Sequence, residues 1–336
     1  MTTRVKWIDV VKALGIFIVY LGHFGWQAGR GFTFVFTHNV ALFFFISGCA
    51  ESFSTEKNII KYILKKIRGV LLPAYFFAFL AIFVIAVADN AEWWFIEGQI
   101  PFIMRGMIRN QFPAGTLWFL TCLFVMQIIF FIIKQLKNKW LIFFVSVFVY
   151  YVSVQVLPLY EIIPPKLCYN FDSALVYLIY YAIGYLTYPW IDALFKLDTW
   201  IKKMIFWVTG VFAMYYCIRF FFGVDLLSYF KFPDFAYIFT PILVTCIMIW
   251  AYVVFAKILE DIEGLAEIGK NTLYLCGSEY ILKIFVSNFL SVFGFRIAIY
   301  DAVRPLSTYL YAAFLLVVAN KYLVPVEKYI LKKIIR

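Results

Sequence analysis

The chain has 336 residues, 65% of them hydrophobic and only 15% charged, a balance far from that of soluble domains. A mean hydropathy of +0.88 marks an integral membrane protein. The net charge of +11, from 30 Lys and Arg against 19 Asp and Glu, therefore reads as positive-inside topology and not as a nucleic-acid surface.

The first stretch to meet is WIDVVKALGIFIVYLGHF, 7–24. Ala13 to Leu21 is uninterrupted apolar sequence, yet Asp9, Lys12 and His23 accompany it. Charged groups in a bilayer helix are costly unless they face a polar interior, so they mark a candidate site. Lys12 and His23 are eleven positions apart, close to three turns at about 100° per residue, and share a helix face with Asp9. At about 1.5 Å per residue, His23 lies roughly 16 Å along the axis from Lys12, and a polar seam is expected along this helix. No small-residue cleavage site follows Leu21, so the helix is expected in the mature protein.

Ten apolar runs of about twenty residues follow one another: roughly 8–28, 34–51, 69–88, 116–133, 139–157, 173–190, 204–222, 236–256, 272–292 and 304–324. With the N-terminus inside, the inner segments collect Arg4, Lys6, Lys12, Lys57, Lys61, Lys65, Lys66, Arg68 and the basic C-terminal end. The outer segments hold only Arg30, Arg105, Arg109, Lys166, Lys231, Arg296 and Arg304. That asymmetry predicts an all-α polytopic bundle of about ten spans, both termini cytoplasmic, as one domain over 1–336. The stretch 89–115 reads as an amphipathic or re-entrant piece with Glu92, Glu97, Arg105 and Arg109 on its polar side.

The six cysteines stand singly, nearly all in apolar runs, and read as small core residues. The two histidines, His23 and His38, fall at similar depth in the hairpin of the first two helices. Histidine is the natural general base near neutral pH. Each also has a plainer reading, an interhelical hydrogen bond for His23 and an interfacial or positioning role for His38. No further ligands accompany them, so a zinc site is not expected. Asp9 either holds Lys12 in an ion pair or simply begins the helix; Lys12 either meets an anion or snorkels. Arg219 and Glu279 are intramembrane charges that could pair.

Trp7-Ile8-Asp9 with Lys12, ten residues and then His23 resembles the first helix of the membrane acyltransferase 3 family. FTHNVALFFFISGC (36–49), KKIRGVLLP (65–73, a basic loop running into Leu-Pro), LWFL (117–120) and IGKNTLY (268–274) continue the resemblance in the family's order. The chain departs from it at Gln127, where larger members carry Glu, and near Ser278 and Glu279, where many carry a helix-borne His. It also ends at Arg336 without the hydrolase-like domain of larger members, which points to the short, single-domain branch.

The resemblance implies an O-acyltransferase of the plasma or inner membrane. It would move a short acyl group, acetyl most commonly, from a cytoplasmic acyl-CoA to a surface polysaccharide or lipid-linked glycan, with succinyl left open. The implied donor is acyl-CoA, used as a substrate, with no permanently bound cofactor. On this reading His23 is the general base, with His38 and Asp9 the other candidate catalytic residues. Lys12, Lys65, Lys66 and Arg68 meet the donor phosphates, although topology alone also accounts for the loop cluster. Arg105 and Arg109 bind an acidic acceptor or anchor the surface, Trp118 walls the site, and Glu279 contributes from the ninth span. The competing readings are a transporter or flippase using Lys12, His23 and Glu279, or a polysaccharide polymerase. The sequence leaves homo-oligomerisation open.

Overall fold

The computed structural model describes residues 4–159, 167–294 and 305–335. Its helices are α1 (Lys6–Gly22), α2 (Arg30–Phe36), α3 (Asn39–Glu51), α4 (Ile59–Lys66), α5 (Leu72–Ala88), α6 (Trp93–Met104), α7 (Trp118–Ile133), α8 (Lys139–Tyr151), α9 (Phe171–Phe195), α10 (Trp200–Phe221), α11 (Thr240–Ile258), α12 (Glu263–Lys270), α13 (Thr272–Val292), α14 (Pro305–Val318) and α15 (Val324–Ile335). No strand occurs among the described residues. Lys166, Arg296 and Arg304 lie outside them.

Nine helical stretches among the described residues are long and apolar enough to cross a bilayer. They match nine of the ten runs expected from hydropathy. The remaining run is α1, whose 17 residues span only about 25 Å. It stops early because the chain turns at Gly25, with φ +60°, into a short 3-10 helix, Gly25–Ala28.

Two segments differ from the sequence-based expectation. The second span begins at Arg30 and breaks at Thr37–His38, where His38 takes φ −142°. A break frees carbonyls that the bilayer cannot satisfy, and the Thr245 hydroxyl of α11 donates to the Thr37 carbonyl at 3.2 Å. The basic stretch at 65–68 is helical and not a loop: α4 runs through a π-helical turn, Ile67–Leu71, into α5. Further π turns lie at Val152–Val156 and Ala319–Leu323. Each ends two residues before a proline: Pro73, Pro158 or Pro325. Proline lacks an N–H and its ring crowds the carbonyl four residues back, and the wider turn relieves that conflict. Through the last of these the final span continues to Ile334.

The chain divides into two compact units. The first comprises 1–52, 183–272 and 299–314, the second 53–182, 273–298 and 315–336. In the first, α2, α3, α11 and α12 pack around α1. All of Trp7–Val11 is buried, so this end of α1 is covered on every side. Glycines set the spacing. A Cβ on Gly269 of α12 would stand 1.7 Å from the Asp9 carbonyl oxygen, and one on Gly184 would stand 2.0 Å from that of Phe45. Backbones meet directly at both points, the membrane use of small residues. Trp7 stacks on Tyr188 with ring centroids 6.3 Å apart and meets Phe195 edge-on at 5.4 Å.

In the second unit, Ala74, Phe77, Ala78, Ala81 and Ile82 of α5 form a buried cluster with Ile103, Leu117, Leu120 and Ile281. Gly277 of α13 admits the Phe77 ring; a Cβ there would lie 2.1 Å from it. The Thr116 hydroxyl donates to the Cys276 carbonyl at 2.7 Å and ties α13 to the start of α7.

Gly269→Ala is expected to destabilise the protein by about 1–3 kcal/mol or more, because a methyl group has no room there. Gly264→Ala, in the same helix with open space around it, is expected to be neutral or stabilising by up to about 1 kcal/mol. Thermal unfolding of the two purified variants in one detergent measures the contrast.

Candidate functional site

The first unit gathers charge at the start of α1. The buried Asp9 carboxylate accepts from Arg4, Nε to Oδ2 at 2.5 Å and a terminal nitrogen to Oδ1 at 3.0 Å. Lys12 Nζ lies 3.7 Å from Oδ1, one turn along the helix. Asp9 therefore does hold Lys12, the first of its two sequence readings, but Arg4 is its closer partner. A buried carboxylate needs such company. One acid between two cations leaves the cluster net positive, and Lys12 keeps 28% of its side chain exposed. Arg4 was legible only as topology, because it precedes the helix and its pairing depends on how the chain enters α1.

His23 caps the other end of α1, its N–H donating to the Val19 carbonyl at 3.1 Å and its side chain exposed. Gly15, Ile16 and Val19 lie on the face between Lys12 and His23, so the seam is polar at its two ends and apolar between them. Gly22 packs on Val35, Phe36 and Asn39; a Cβ there would lie 3.7 Å from Asn39 Nδ2. The backbone stations of His23 and His38 therefore flank one contact, as the hairpin reading expects. His38 is buried, 1% exposed, edge-on to Phe34 at 5.0 Å and tilted against Tyr252 at 4.9 Å. One ring nitrogen looks toward the Phe34 carbonyl, but neither makes a hydrogen bond of good geometry.

The second unit carries the other candidates. Lys65 and Arg68 are exposed on the helical stretch before Pro73, while Lys66 lies over the Tyr62 ring at 4.8 Å. Arg105 caps α6 and is exposed; its carbonyl accepts the Tyr169 N–H at 2.8 Å. Arg109 and Trp118 come together, the guanidinium 5.1 Å from the ring centroid. Asn170 organises this corner. Its side-chain oxygen accepts the Arg109 N–H at 2.8 Å. Its amide nitrogen donates to the Gly106 carbonyl at 3.1 Å, the Trp118 carbonyl at 3.3 Å and Thr121 Oγ1 at 3.0 Å. The backbone here runs repeatedly through positive φ: 85° at Gly106, 47° at Met107, 64° at Asn110, 57° at Tyr169 and 55° at Asn170. Such strain persists only where the surroundings over-determine it, and it clusters at functional places.

Glu279 pairs with Lys283 one turn further along α13, so its counter-charge lies in its own helix. Glu327 of α15 is an acid that sequence reading passed over; it is 3% exposed and sits near Ser278 of α13. Its place among the lysines at the C-terminal end hid it.

The family model of the acyltransferase domain matches residues 5–323, nearly the whole chain. No curated protein and no solved structure matches it. The motifs along α1, at the α2–α3 break, before Pro73, at the start of α7 and at Gly269 all lie within the matched stretch, and the chain belongs to the acyltransferase 3 family of membrane acyltransferases.

Proposed function

We propose that this membrane acyltransferase moves a short acyl group, acetyl in the first instance, from a cytoplasmic acyl-CoA to a hydroxyl of a surface polysaccharide or lipid-linked glycan. The observation that carries the proposal is α1 itself. It has a net-positive Arg4–Asp9–Lys12 cluster at one end and an exposed histidine roughly 16 Å further along the axis. The cluster suits the phosphates of the donor. In this reading Lys65, Lys66 and Arg68 add to the donor side, and Arg105, Arg109, Trp118 and Glu279 serve the acceptor.

His23 takes the proton of the acceptor hydroxyl as its oxygen attacks the thioester carbonyl. The carbon–sulfur bond breaks, the new ester leaves with the acceptor, and the departing thiolate takes the proton back from the imidazolium. His38 supports this centre from the α2–α3 break, with Asp9 fixing Lys12 at the far end.

Base-labile ester on surface glycans, measured by mass spectrometry, should rise in cells expressing the wild-type chain. Equally abundant His23→Ala should bring it to background, since a positioned base contributes about 10²–10⁴ in rate. Unchanged ester with wild type, accompanied by movement of a glycan or solute across the membrane, would favour the transporter reading. Lys12→Ala should raise KM for the donor more than it lowers kcat, the mark of lost donor binding. His38→Phe retains a ring for Phe34 and Tyr252 to pack on; the expected result is folded protein with little transferase activity.

A further inference from the structure

Arg109 is held more firmly than a surface arginine and is less satisfied than a structural one. Its backbone is fixed by Asn170 and its guanidinium covers Trp118, with the Tyr177 hydroxyl within hydrogen-bonding reach. Its Nε is buried and makes no hydrogen bond. Among the described residues no carboxylate lies within ion-pair distance of it. The acid of this neighbourhood, Asp172, accepts the Ser173 N–H at 2.7 Å and the Leu167 N–H at 3.4 Å. A partly buried cation with no carboxylate in ion-pair contact is costly, and a planar guanidinium already oriented by an aromatic face loses little further freedom on taking an anion. The strained turns that position it add to the case, since the arrangement persists against an unfavourable backbone.

We infer that Arg109 is an anion-recognition site and that the acceptor of the transferase carries a carboxylate or phosphate group, bound through the guanidinium fork beside Trp118. The inference rests on the transferase reading for the word acceptor; the anion site itself does not. The anion has two chemical sources, an acidic sugar or a lipid-linked phosphate, and Arg109 would take either.

The test is calorimetry on the full chain in lipid nanodiscs. The ligands are glucuronate, farnesyl diphosphate, glucose as the uncharged control and, separately, coenzyme A. Wild type should bind one of the anionic probes and not glucose. Arg109→Gln should weaken that binding about tenfold or more. Arg109→Lys should fall between them, because an ammonium keeps the charge without the fork. Glucuronate binding assigns an acidic sugar and farnesyl diphosphate binding a lipid-linked carrier; either supports the site. Binding of neither anion, equal affinity in wild type and Arg109→Gln, or glucose binding as tight as glucuronate overturns it. Coenzyme A binding retained in Arg109→Gln shows that the variant is folded. If that binding is lost while the helical circular dichroism is kept, the anion belongs to the donor and the acceptor assignment falls. Anion binding in a wild-type chain that does not bind coenzyme A would remove the transferase reading and leave the Arg109 site standing.

Discussion

The close approach of α12 to α1 governs the first unit. Gly269 has no side chain, so its backbone rests on the Asp9 carbonyl at a distance that excludes even a methyl group. Direct backbone contact of this kind orders a helix pair through van der Waals packing, the attraction that remains when lipid is as apolar as the side chains. The Asp9 side chain at this contact is itself buried, and burial makes that carboxylate depend on Arg4 and Lys12. Packing and electrostatics are therefore one arrangement here. The residue whose backbone meets that glycine is the same one whose carboxylate holds two cations at the start of α1.

A second constraint runs through both units: within the bilayer, every backbone polar group needs a partner from the protein. Several interruptions among the described residues come with a remedy. Thr245 covers the carbonyl freed at Thr37. Three π turns precede Pro73, Pro158 and Pro325 and absorb the missing donor. Asn170 supplies side-chain bonds to the irregular stretch around Gly106 and Trp118. Two of these interruptions carry candidate functional residues, His38 at one and Arg109 at another. Broken backbone permits side-chain orientations that a regular helix does not.

The candidate site was legible where its geometry is local. Asp9 and Lys12 are one turn apart, and their pairing follows from helix periodicity alone. The Glu279–Lys283 pair, at i, i+4, follows the same one-turn logic, although Arg219 is an equally plausible partner for Glu279 from sequence alone. Arg4 with Asp9 and Asn170 with Gly106 and Trp118 were not legible, because those pairings depend on loops and on contacts far apart in the chain. Burial was equally hidden. His38 stands out in sequence and Glu327 does not, yet only packing shows that both are enclosed.

What the sequence by itself determined is the membrane class, the helical fold, nine of the spans and the family motifs in order. Hydropathy is a sum over local residues and needs no tertiary contact. The bilayer then leaves a backbone that must satisfy itself no choice but the helix. The tertiary structure alone decided which charges are paired, where helices break, and which polar groups are buried. Those outcomes depend on which neighbours the packed helices bring within a few ångströms, and no local pattern in the chain encodes that distance.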